Sequence, residues 1–61
     1  MKIIITDNYD RENVSEAICC ENVDRRHGEL IVRLLNDSFG VNDPNYYKLV
    51  EDSYKLYVWE P

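Results

Sequence analysis

Cys19, Cys20 and His27 are the residues of this 61-residue chain whose types suit metal or nucleophilic chemistry. Zinc takes four ligands, commonly in closed Cys/His sets built on CxxC-type spacing. An adjacent cysteine pair and one distant imidazole fall short of that set, so no metal is expected. A lone histidine with no partner in a triad reads as a residue at the edge of a core rather than as a base. Adjacent cysteines cannot tie distant segments together. One is expected to pack as a small hydrophobe; the other is exposed and weakly reactive, because no Lys or Arg lies close in sequence to lower its pKa. Gly28 and Gly40 stand alone, so there is no glycine-rich phosphate loop, and no GxSxG, HExxH or EF-hand pattern occurs. The stretch DNYD followed by Glu12 resembles a calcium loop only in its acids. The expectation is a protein without catalysis, metal or cofactor.

Two other groups of residues could act through surface contact. Asp7, Asp10, Glu12, Glu16, Glu21 and Asp24 fall within eighteen positions, with Arg11 the only base among them. Such a row on a helix can imitate nucleic-acid phosphates and occupy a basic groove; the plainer reading is a solvated face. Asp10, Glu12 and Glu16 are the candidates there. The second group lies at the other end, where five of the last sixteen residues are aromatic. Tyr46, Tyr57 and Trp59 are of types enriched at binding hot spots, and Lys48 and Lys55 lie among them. This aromatic face either meets a partner or closes over the outward side of the first strand.

The elements that must position these residues follow from pattern. KIIIT, Lys2 to Thr6, reads as a strand buried on both faces. Asp10 is placed to cap a helix running to Glu21, with Tyr9 and Val14 spaced as a hydrophobic staple and Val14, Ala17 and Ile18 on its apolar side. Asp24 caps a second helix. In it His27, Leu30, Ile31, Leu34 and Leu35 form an apolar stripe, and Arg25, Arg26, Glu29, Arg33, Asn36 and Asp37 lie outside with Val32. Gly40 suits the left-handed position after that helix, with Val41 touching Leu35. Gly28 marks fraying or close approach to the first helix. VNDPN is a loop. A hairpin turning at Asp52-Ser53 then pairs Leu49 with Leu56 and Tyr47 with Val58, leaving Tyr46, Lys48, Val50, Lys55, Tyr57 and Trp59 on the face away from the helices. The predicted fold is α+β, β-α-α-β-β: a three-stranded sheet packed on one face by two antiparallel helices, with residues 1–61 forming a single small domain.

Seven basic against twelve acidic residues give a net charge of −5. That balance speaks against a nucleic-acid or anionic-membrane partner. No apolar run reaches the roughly 18–20 residues of a spanning helix, and a cytoplasmic location is expected. DSYKLYVWEP, together with KIIITDNYDRENVSEAI, resembles small uncharacterised proteins encoded by bacteriophages and mobile elements of gut and Gram-positive bacteria. The resemblance spans nearly the whole chain and carries no catalytic residue. It implies a compact accessory protein that inhibits or redirects a host protein, host defence enzymes included. The expected function is therefore that of a small acidic protein-binding module, with a homodimer built on the aromatic sheet face as the alternative. A thiol-redox protein using Cys19 and Cys20 ranks last.

Overall fold

The structure, a computed structural model, describes residues 1–40 and 42–61. Its elements are β1 (Lys2–Asp7), β2 (Ala17–Cys20), α1 (Arg25–Phe39) and β3 (Asn45–Val50). The sheet order is β2-β1-β3, and both pairings are antiparallel. The small α+β class and the three-stranded sheet agree with the sequence. The second helix and the β-α-α-β-β order do not: among the described residues the order is β-β-α-β, with one helix.

β1 is the central strand, as its unbroken isoleucine run demands. Ile3 and Ile4 point to opposite faces and both are fully buried. On the front, Ile3 stands opposite Leu49 and Ile5 opposite Tyr47. On the back, Ile4 stands opposite Lys48 and Ile18, and Thr6 opposite Tyr46.

The helix expected over 10–21 is absent. Asp7 is the reason. Its carboxylate accepts the Arg11 N–H (2.6 Å) and the Arg11 guanidinium (2.9 and 2.8 Å). This closes a turn in which Asp10 takes a left-handed φ of 54°. Asp10 therefore cannot serve as an N-cap, whose backbone is extended. A helix of this length is marginal in isolation, and residues 17–20 satisfy their backbone on β1 instead.

α1 begins and ends where its caps predict. Asp24 accepts the His27 N–H (3.1 Å), and Gly40, at φ 76°, donates to the Asn36 carbonyl (3.0 Å). The Val41 contact lies outside the described residues. The buried stripe is rotated from the predicted one. Gly28 is buried, Ile31, Val32, Leu35 and Asn36 are half-buried, and His27, Leu30 and Leu34 are exposed. Two contacts with β3 fix this rotation. A Cβ on Gly28 would lie 2.5 Å from Leu49 Cδ1, so the close approach is to β3 rather than to a first helix. The Asn36 amide also accepts the Tyr47 N–H (3.0 Å) and donates to the Tyr47 carbonyl (3.0 Å). Phe39 stacks on the Tyr47 ring at 5.7 Å.

The expected hairpin does not form. β3 stops at Val50, and the Tyr54 N–H bonds to the Glu51 carbonyl (3.0 Å) in a turn. Asp-Ser lacks the positive-φ preference of a tight hairpin turn, and the Asn36 amide already occupies the outer edge of β3 at Tyr47. Residues 54–61 are irregular and cross the back of the sheet. Lys2 Nζ donates to the Tyr54 carbonyl (2.8 Å), and farther along the Tyr57 carbonyl accepts the Glu16 N–H (2.8 Å). The helix lies in front, so this tail is what buries Ile4 from behind; Tyr54 and Leu56 are its half-buried residues.

Candidate interaction surface

Glu16, just ahead of β2, organises the upper back face. Its Oε1 accepts the Tyr54 hydroxyl (2.8 Å) and the Tyr57 N–H (2.8 Å). Burial pushes the Glu16 carboxyl up, but the Tyr57 N–H, the Tyr54 hydroxyl, Thr6 and the charge of Lys48 outweigh it, leaving the group below its ordinary range. The same bond to Glu16, with burial second, pushes the Tyr54 phenol up. The Tyr57 hydroxyl donates to the Glu12 carbonyl, and the Trp59 N–H donates to Ser15 Oγ (3.0 Å). The tail is thus held by five hydrogen bonds to residues 12–16.

Held this way, the aromatic candidates keep their rings in solvent: Tyr46 is 43%, Tyr57 45% and Trp59 41% exposed. Lys48 and Lys55 are exposed. Tyr46 and Lys48 project from β3, whereas Tyr57, Lys55 and Trp59 project from an irregular tail rather than from a paired strand.

Sequence treated the acidic run and the aromatic face as separate. The structure brings them together. Thr6, Asp7 and Asp10 border two shallow clefts. Tyr46 and Lys48 line the first, of about 300 Å³. Glu12, Glu16 and Tyr57 line the second, of about 270 Å³. Both sit at or below the lower limit of small-molecule pockets, which suits protruding side chains better than an enclosed cofactor. Lys55 and Trp59 line neither cleft; the Trp59 backbone is bonded to Ser15, which lies in sequence between Val14 and Glu16 of the second. Asp10 and Glu12 are exposed, and among the described residues their carboxylates make no hydrogen bond or ion pair.

Asp7 and Arg11 were missed as organisers, although acid and base four apart was a readable signal. The Arg11 guanidinium holds the Asp7 carboxyl at about 2, against the opposing push of burial. Arg11 also lies over the Tyr9 ring at 5.4 Å. Nothing local in the sequence pointed to Thr6 or Ser15.

His27 is exposed rather than at the core edge. Its Nδ1 lies 2.6 Å from Asp24 Oδ1. Among the described residues it bonds to no serine, threonine or cysteine, and no group of three or more His, Cys, Asp and Glu is placed to hold a metal ion. No helix among them is long and apolar enough to cross a membrane. No protein-family model, curated protein or solved structure matches this chain.

Proposed function

We propose that this chain is a small acidic protein-binding module without catalysis, acting as an inhibitor that occupies a basic surface of a host enzyme in the manner of compact phage-encoded accessory proteins. One observation carries the reading: exposed Tyr46 and Tyr57 flank the unpaired carboxylates of Asp10 and Glu12 on one face. Rings supply contact area at low entropic cost, and carboxylates select a cationic counterpart and speed encounter. The net charge of −5 extends that selection to long range.

Capture from bacterial lysate with mass-spectrometric identification, repeated with variants, tests this. Trp59→Ala removes a ring whose backbone keeps its bond to Ser15, and Glu12→Lys reverses an unpaired charge, so both are expected to leave the fold intact. Each is expected to weaken the captured complex by about 2 kcal/mol, roughly thirtyfold, as a hot-spot loss; Glu12→Lys should also flatten the salt dependence. Capture that survives both variants unchanged removes the reading. The alternative, a homodimer through the same face, would set Asp10 and Glu12 of two copies near one another. Light scattering is expected to show a monomer.

A further inference from the structure

Neighbouring residues of a regular strand point to opposite faces of the sheet, so two adjacent cysteines would ordinarily be separated by the strand itself. β2 is not regular at this point. β1 pairs Ile3 with Cys20 and Ile4 with Ile18, and the register shifts between them. Cys19 is the extra residue of a bulge. In a bulge two residues of one strand stand opposite a single residue of the other, and side chains are re-aimed. Cys19 and Cys20 therefore both stand against Ile3, on the helix side of the sheet. Burial first, then the charge and hydrogen bonding of Cys20, push the Cys19 thiol above its ordinary range. Both are free; Cys19 is exposed and Cys20 half-buried. β2 is an outer strand, and α1 packs on β1 and β3 but not on β2, so the helix does not roof the pair.

We propose that Cys19 and Cys20 form a dithiol site that chelates a trivalent arsenical. Such an arsenic centre makes three bonds, one to its organic substituent and two that sulfur can supply, so a pair of thiols completes it. Zinc would require four ligands. Direct oxidation suits the pair poorly. Consecutive Cα atoms lie about 3.8 Å apart, short of the roughly 4.4–6.8 Å that a disulfide spans, whereas an inserted arsenic atom lengthens the bridge. With an organoarsenic oxide, the As=O bond is replaced by two As–S bonds. The two thiol protons leave with the oxygen as water, and no oxidation state changes.

The test uses the reduced full chain and phenylarsine oxide. Both thiols are expected to disappear per arsenical bound, with intact mass showing one arsenical on one chain. 2,3-Dimercaptopropanol should strip the adduct and 2-mercaptoethanol should not. The second sulfur acts at high effective concentration, so Cys19→Ser and Cys20→Ser are each expected to weaken binding by about 10²–10⁴-fold. The arsenical should also raise the melting midpoint of the unmutated chain, because the bulge holds the two thiols ready and the folded state then binds more tightly than the unfolded chain, in which the same adjacent pair is unordered. The proposal is overturned by single-cysteine variants that bind as tightly as the parent, by an arsenical that bridges two chains, or by an unchanged or lowered midpoint.

Discussion

The Glu16 carboxylate accepts the Tyr54 hydroxyl and the Tyr57 N–H, the bonds that set the course of the tail. Glu16→Ala leaves those donors without their acceptor, and an expected loss of about 1–3 kcal/mol should appear as a lower urea midpoint. Glu16→Gln keeps an acceptor but not its charge and should fall between. Asp7 gives the pH prediction. Its folded pKa of about 2 lies below the ordinary 3.8 because Arg11 is bonded to it. A depressed carboxyl stabilises the fold above its unfolded pKa, and that contribution disappears as pH falls through the folded value. Midpoints measured from pH 5 to pH 2 should therefore decline more steeply below about 4 in the parent than in Asp7→Asn.

At the scale of elements, the helix is fastened to β3 by a missing side chain and by one amide. Gly28→Ala would raise helix propensity by about 1 kcal/mol. The added Cβ would, however, meet Leu49 Cδ1 at 2.5 Å and Cδ2 at 3.0 Å. Overpacking of that kind costs about 1–3 kcal/mol, so a net loss is expected. In a Leu49→Ala background the obstacle is gone and the same substitution should stabilise; a double-mutant cycle in urea reads this change of sign. Asn36 supplies the other fastening. Asn36→Leu strips the Tyr47 N–H and carbonyl of their partners, with an expected cost of about 1–3 kcal/mol and faster hydrogen exchange at the Tyr47 amide. It would also open the β3 edge to pairing with another chain.

For the molecule as a whole, the small core explains why the tail matters. Ile3, Ile4 and Tyr47 are the buried hydrophobic residues among those described, and the accessible surface of 4616 Å² exceeds the roughly 4,200 Å² expected for a folded chain of this mass. Ile4 has the tail behind it. Removing residues 54–61 exposes that side chain, a loss of about 1.5–3 kcal/mol, together with the bonds to Glu16, Ser15 and Lys2. A domain this small rarely holds more than about 3–5 kcal/mol in total. The truncated chain is expected to be largely unfolded by circular dichroism; an unchanged melting midpoint would show that the tail is dispensable to the fold.

Local chemistry was legible where a segment decides its own structure. The isoleucine run dictated a strand buried on both faces, Asp24 and Gly40 dictated the ends of the helix, and residue type alone singled out Tyr46, Tyr57, Trp59 and the acids of residues 10–16. The 10–21 segment and the tail were illegible because each had two comparable local options. Val14, Ala17 and Ile18 are spaced for a helix, yet AICC serves equally as an edge strand once Asp7 closes the turn before it. YKLYVW alternates like a strand, yet the β3 edge beside it is taken by Asn36, which lies eleven residues before the Tyr47 that it bonds. Which leucines of the helix face inward, that the acidic and aromatic groups share one face, and that Cys19 falls at a register shift of β2 were likewise settled by tertiary structure. Each depends on register between segments distant in sequence, and a register is fixed by mutual packing and hydrogen bonding that neither segment encodes alone.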